Sequence, residues 1–474
     1  MDMFKKKSLC TALAGIGTLG AVGAAQAVNL DPDGLGQVLI YPYYTVRASG
    51  TGPAINAFAS LLSVVNSTAS TKAVKVRFLE GRNSREVLDF NLYLSAKDVW
   101  TTVVTPEGAG AKITTTDKSC TLPAIPAAGV TFRNTAYASD GAGAGLDRTR
   151  EGYVEIIEMA SYSDASQTTD NVTHVAGVPP GCSAQTDALG AAEALPPTGG
   201  LFGGISLVNV LSGMDITESA VAIDRFSNIP IYTAAGVDTP NMTFASPPQS
   251  IVVANNTVYQ STWTPGTADP VSAVLMQDQI MNEFVLDSAT KSGTDWVVTM
   301  PTKRFYIANG VGTPARLFQR NFNGTVGACD DVSLNIYDRE EQTTSTPIDF
   351  SPLPPAGVNA LCWEANVVTF NNSNLLGSQN SANITTTFPN GWLTLGFFPS
   401  SVTGAVHTLG NSATTRAVLG QAPSASGPAT YFGLPVVGFA AQSFNNGTLT
   451  VGTATNVQSA YAGSFIQKGT RRIQ

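Results

Sequence analysis

The chain has 474 residues, 43% of them hydrophobic and only 13% Asp, Glu, Lys or Arg. The charged share is about half the ~25% of an average soluble domain, and 45 glycines favour short strands and tight turns. A formal charge of −8 with no basic stripe beyond the amino-terminal lysines excludes nucleic acid as a partner.

The amino terminus reads as an export signal. Lys5, Lys6 and Lys7 form a positive start, Leu9 to Val22 a short apolar run, and Ala25-Gln26-Ala27 a small-residue cleavage motif. Residues 1–27 are therefore expected to be removed, with the cut between Ala27 and Val28. The apolar run is too short to be a membrane anchor and no second one follows, so no transmembrane segment is expected in the mature chain. Once Cys10 is lost, Cys120, Cys182, Cys329 and Cys362 remain, an even set suited to an oxidising compartment. Four cysteines allow three connectivities. Cys120–Cys182 and Cys329–Cys362 are favoured because each pair brackets one loop-rich region. No Cys-x-x-Cys spacing occurs and His174 and His407 are the only histidines, so a zinc site is not supported.

Asp31-Pro32-Asp33-Gly34 precedes the first strand, Val38 to Tyr44. Asp31 and Asp33 resemble the start of a calcium loop, but the later Glu of an EF-hand is missing, and an Asx/Gly turn explains the pattern as well. Phe58 to Asn66 is the next strand. From Ala73 to Trp100 the sequence alternates as strand, turn, strand, turn, strand. Val74, Val76 and Phe78 interleave with Lys75, Arg77 and Leu79, which predicts one buried and one exposed face. Leu88, Phe90, Leu92 and Leu94 give the second strand the same grammar. Residues 107–150 loosen into Gly, Ala and Thr, and Gly152 to Met159 returns to strand. Residues 161–200 read as a long polar, then Pro/Gly-rich loop. Ile205 to Val210 is expected to pair with Ser219 to Asp224 across Ser212-Gly213.

Ser246-Pro247-Pro248-Gln249 is the best candidate boundary, giving a β-sandwich-like domain over 28–248 and a β-rich domain over 249–474. One helix is expected beyond it, with Asp269 as cap, Pro270 in the first turn, and Val271, Val274, Leu275 and Met281 near one face. Trp296 to Met300, Lys303 to Ile307 and Val332 to Tyr337 return to sheet grammar, as do short runs after Trp392. The expected fold is mainly β: antiparallel β-sandwich (Ig-like) units with long Gly/Pro/Ser-rich loops and one short helix. The strands are too irregular for a transmembrane barrel.

No catalytic constellation emerges. There is no G-x-S-x-G elbow and no H-E-x-x-H, and both histidines are expected at the surface. Glu155 and Glu158, three apart on a strand, point to opposite faces. Asp338, Glu340 and Glu341 share a solvated turn with Arg339, and Asp330-Asp331 reads as a surface acidic pair that could hold calcium with another loop. Trp100, Trp296 and Trp363 are assigned to the core. Trp263 sits in a loop, where packing is favoured over ligand contact.

The runs GLGQVLIYPYYTVR (34–47), VKVRFLEGRNSREVLDFNLYLSAKDVW (74–100), GTDWVVTMPTKRFYI (293–307) and LNIYDREEQ (334–342) resemble those of a group of exported, functionally uncharacterised proteins of Gram-negative bacteria. The resemblance implies secretion and a cell-surface or extracellular role, and carries no catalytic residues. In composition the chain is also similar to surface-layer proteins, although its disulfides depart from that pattern. The expectation is a non-enzymatic cell-surface structural or adhesive protein without a resident cofactor. It would self-associate, or bind other surface components, through sheet edges or calcium-bridged acidic loops. The alternatives are a periplasmic or secreted module binding glycans or small ligands, and a secreted hydrolase using two carboxylates.

Overall fold

The computed structural model describes residues 26–48, 57–307, 317–343, 359–397, 407–451 and 454–474. Up to residue 107 the strands are β1 (Asn29–Leu30), β2 (Val38–Thr45), β3 (Ala59–Asn66), β4 (Thr71–Glu80), β5 (Glu86–Leu94) and β6 (Val99–Glu107). Then come β7 (Gly110–Thr114), β8 (Thr121–Leu122), β9 (Val130–Thr131), β10 (Glu151–Tyr162), β11 (Leu201–Asn209), β12 (Met214–Ser219) and β13 (Val221–Asp224). They form a seven-stranded sheet, β1-β13-β2-β10-β4-β5-β8, and a six-stranded sheet, β12-β11-β3-β6-β7-β9.

The two sheets face each other because period-two apolar positions converge between them. Val74, Val76 and Phe78 of β4 lie opposite Leu92, Phe90 and Leu88 of β5. They pack with Tyr41, Tyr43 and Trp100 in one core, where each large side chain contributes about 1.5–3 kcal/mol. The Tyr41 hydroxyl donates to Ser63 O in the facing sheet at 2.7 Å. The β4–β5 turn is set by Glu80, whose carboxylate accepts from the Arg82 and Asn83 amides at 2.8 Å.

The other face of β4 departs from expectation. All ten residues of β4 and all twelve of β10 are buried, so Lys75 and Arg77 lie beneath a covering segment instead of in solvent.

The expected hairpin also differs. β11 pairs with Met214–Ser219, and the chain then crosses at Ala220 into the opposite sheet, where β13 pairs with β2. Residues 161–200 are more ordered than their composition suggests. They hold two six-residue helices, α1 (Gln167–Val172) and α2 (Asp187–Ala192), capped by the side chains of Ser166 and Thr186.

The later strands are β14 (Gln249–Ala254), β15 (Thr257–Thr262), β16 (Met276–Gln277), β17 (Gln279–Val285), β18 (Gly293–Thr299), β19 (Asp330–Asp338), β20 (Asn359–Leu361) and β21 (Ala365–Phe370). Next are β22 (Ser381–Ile384), β23 (Asn390–Gly396), β24 (Thr408–Val418), β25 (Ala425–Phe432) and β26 (Leu434–Pro435). The long hairpin β27 (Val437–Val451) and β28 (Ala454–Ile466) and the short β29 (Lys468–Thr470) and β30 (Arg472–Ile473) close the chain. The ladders are antiparallel apart from β21 with β22.

The helix expected after the boundary is α3 (Asp269–Leu275), with Ala268 in the cap position and Pro270 through Leu275 buried. Met281 lies beyond it, in β17. Lys303 to Phe305 forms a 3₁₀ turn in place of the expected strand.

The central strands β18 and β21 of the sheet β22-β21-β18-β27-β28 are buried on both faces. Val297, Val367 and Phe439 point into the core of the first two sheets. Trp296, Val298, Val368 and Phe370 point the other way, into a second core. Double burial explains the consecutive apolar residues Trp296-Val297-Val298 in β18 and Val367-Val368 in β21. The boundary placed at residue 248 falls between β13 and β14, and both cores draw residues from either side of it.

Candidate functional site

The covered face of β4 carries a row of buried charge. Arg77 Nε donates to Glu86 Oε2 (2.9 Å) and Nη1 to Glu155 Oε2 (2.8 Å), while Nη2 pairs with Asp238. β5 supplies Glu86, β10 supplies Glu155, and the loop 233–241 supplies Asp238. The loop is strapped down almost wholly by polar side chains from beneath. Lys75 Nζ donates to Ala234 O (2.7 Å), Asp89 Oδ2 accepts from Gly236 N (2.8 Å), and Asn91 Nδ2 donates to Thr233 O (3.0 Å). Arg304, from the 3₁₀ turn, holds Asp238 as well.

Burial pushes Glu86 up to about 7, with Asp89 and Asp238 adding to the rise and Arg77 opposing it. Burial likewise raises Glu155 against the pull of Arg77. A cleft of about 550 Å³ opens beside this row, lined by Glu86, Asp89, Phe90, Arg133 and Asp238. Two carboxylates in a cleft suggest acid–base work, but Glu86, Glu155 and Asp238 all converge on one guanidinium. These ion pairs tie the loop 233–241 to β4, β5 and β10.

A second polar knot lies at the β4–β5 turn. Ser84 adopts φ +47°; its hydroxyl donates to Glu364 Oε2 at 2.6 Å and accepts from Tyr153 at 2.8 Å. Burial raises Glu364 to about 7, and its Oε1 has no hydrogen-bond partner among the described residues.

The third knot corrects two expectations. His407 and Asp330 are fully buried, and Asp331 is nearly so. Asp330 Oδ2 lies 2.8 Å from Lys303 Nζ, and Oδ1 lies 3.3 Å from His407 Nε2. Burial works to raise Asp330, but Lys303 and His407 prevail and hold it below the ordinary carboxylate range. Asp331 pairs with Arg320 at 3.1 Å. The sequence placed these residues at the surface because their partners are remote in the chain.

His174 is partly exposed, 3.6 Å from Asp98, and Arg339 sits 4.0 Å from Glu340 in an open turn. Glu155 and Glu158 point to opposite faces. Glu158 is paired with Lys72 at 2.7 Å and accepts from the Thr198 and Gly199 amides.

Disulfides join Cys120 to Cys182 and Cys329 to Cys362. Asp31 Oδ1 accepts from the Asp33 and Leu35 amides, forming an Asx turn. Among the described residues, no third acidic, His or Cys side chain joins Asp31 and Asp33. Ala27 and Val28 are both fully buried. Trp263 is a packing residue, donating to Ser250 Oγ at 2.8 Å and tilted against Tyr431. Trp100, Trp296 and Trp363 are likewise buried.

Two open surfaces stand out among the described residues. A cleft of about 710 Å³ is lined by Phe305, Tyr306, Asp269, Thr267, Thr408 and Thr430. The outer face of the six-stranded sheet is arranged in rows around an open hollow of about 470 Å³ lined by Leu61, Ser63, Thr101, Val103 and Ser206. Val99, Val65 and Phe202 stand side by side across β6, β3 and β11, as do Thr101, Ser63 and Gly204, then Val103, Leu61 and Ser206. Val99, Leu61 and Phe202 are 47%, 45% and 42% exposed.

No family model, curated protein or solved structure matches the chain. Among the described residues, no helix is long and apolar enough to cross a membrane.

Proposed function

We propose that the chain is an exported, non-enzymatic structural or adhesive protein of the cell surface that associates with copies of itself. The observation that carries this reading is the exposed apolar outer face of the six-stranded sheet. Its apolar rows alternate with a hydroxyl row and leave large side chains such as Phe202 in water. Two such faces can stack about 10 Å apart with their rows interleaved, so one copy is a suitable partner for another. Disulfides suit an oxidising compartment, and the closed ion pairs around Arg77 and Asp330 favour scaffolding over turnover. The test is light scattering on the mature protein across concentration, with calcium or a chelator. Assembly weakened by Leu61→Lys and Phe202→Lys together is expected. A chain that stays monomeric at high concentration with calcium present would sink the reading.

A second reading is favoured by the 710 Å³ cleft. Ligand pockets of about 300–1,000 Å³ pair aromatic walls with a few polar groups. Phe305 and Tyr306 offer rings here, while Asp269 and the threonines offer acceptors and donors. This is a module for a neutral glycan or small polyol. A glycan array would separate the readings, with Phe305→Ala abolishing any signal that belongs to the cleft.

A further inference from the structure

The amino-terminal segment is built into the fold sooner than its cleavage motif implies. Ala27 is fully buried and packs with Ile251 and Val258 in a small core of its own, against Leu419. Val28 is fully buried as well, with its side chain in the large second core. Its N–H donates to Gln249 O at 2.8 Å and its carbonyl accepts from Ile251 N at 2.8 Å, so it bridges to Ser250 in parallel. Gln26, one residue earlier, is exposed.

A cut between Ala27 and Val28 would replace a bonded amide with an α-ammonium at a fully buried position. The partner waiting there is the neutral carbonyl of Gln249, and a buried charge without an opposite charge is strongly disfavoured. The same cut would remove the Ala27 methyl from its apolar cluster. A cut two residues upstream has neither defect. Gly23-Ala24-Ala25 places small residues at the two positions a signal peptidase reads, and a new ammonium on Gln26 would rest in water.

We propose that the mature chain begins at Gln26, and that Ala27 and Val28 are kept as the strand that covers the edge of β14. The inference rests on the export reading and refines where processing falls. An amino-terminal Gln can also close on itself. The α-amine nitrogen attacks the side-chain amide carbonyl, the new C–N bond forms a lactam, and ammonia leaves, with no change of oxidation state.

The test is to recover the protein from a surface wash and an osmotic-shock fraction of native cells, then sequence its first peptide by mass spectrometry. Gln26 first, open or as the lactam, is the expected result. Any other first residue overturns the proposal. Val28 first would restore the sequence motif while leaving export intact, whereas an uncut Met1 would end the export reading as well. Refolded chains starting at Gln26 and at Val28 give a second readout. The shorter chain is expected to melt at a lower temperature, and equal Tm values would remove the burial argument.

Discussion

Arg77 is the most heavily engaged side chain of the charge row, with three carboxylates on one fully buried guanidinium. Removing it strands Glu86, Glu155 and Asp238 without their cation. Arg77→Met is expected to cost about 3–5 kcal/mol in urea unfolding, and adding Glu155→Gln should recover part of that loss. If the double variant is no better than the single, Glu155 is not coupled to Arg77. Glu86 and Glu364 are both raised to about 7, so the folded chain holds their protons more tightly than the unfolded chain does. Their contribution is whole below the unfolded value near 4.5 and is lost as pH rises through 7. Asp330 is lowered, so its contribution is present above its unfolded value near 3.8 and is lost at lower pH. Stability should therefore peak in mild acid. Glu364→Gln should remove on the order of 3 kcal/mol of the alkaline loss, read as a flatter Tm between pH 6 and pH 8. An unchanged slope would mean that Glu364 is ionised throughout. Little of this was legible in the sequence. Lys75 and Arg77 alternate with valines as solvent-facing residues would, and Arg77 finds Glu155 and Asp238 at separations of 78 and 161 residues. Local pattern cannot report partners so distant.

Elements with two-residue periodicity were easy to read, and short elements were not. The strands around Val74 and Phe90 stand where alternation placed them, because a buried face needs apolar residues at every second position. The helices α1 and α2 are six residues long, too short to display an apolar stripe, and their clues were the capping residues Ser166 and Thr186. The loop 233–241 has no element signature at all. It is held by ionic and amide side chains of β4 and β5, so its order depends on those charges. Asp238 is half exposed, with 52% of its side chain open, and Asp238→Asn should move Tm little. The same change should speed amide exchange at Ala235 and Gly236 about tenfold or more, since hydrogen bonds to charged groups contribute ~1.5–3 kcal/mol. Unchanged exchange would show that the loop is held unaided by Lys75, Asp89 and the α2 residue Asp187, whose carboxylate accepts from Ala235 N at 3.2 Å. The disulfides act at the same scale. Cys120–Cys182 closes a separation of 62 residues, and replacing both cysteines by serine should cost about 4 kcal/mol on the chain-entropy account. A far smaller change in urea midpoint would mean that α1 and α2 stay docked without the bond.

The whole molecule raises the question of whether its two halves are separate domains. Composition placed a boundary at residue 248 because Ser246-Pro247-Pro248 resembles a linker, and composition is blind to what packs across it. Sheet β22-β21-β18-β27-β28 gives one face to each core, so each core is completed by residues from the other half. Polar contacts repeat the pattern. Glu151 accepts from Arg47 Nε at 2.6 Å and from Ser378 Oγ at 2.6 Å, and Thr299 donates to Pro42 O at 2.6 Å. Glu364 and Ala365 both donate their amides to Gly81 O. An interface of this kind is apolar, doubly used and hydrogen-bonded, unlike the polar contacts between domains that move independently. The intact chain should therefore unfold in one calorimetric transition, with the calorimetric and van't Hoff enthalpies equal. A fragment covering 28–248 should fail to give a cooperative transition, because Val297, Val367 and Phe439 would no longer complete its core. Two resolved transitions in the intact chain, or a fragment that melts cooperatively by itself, would reinstate two domains and confine the shared core to a docking surface.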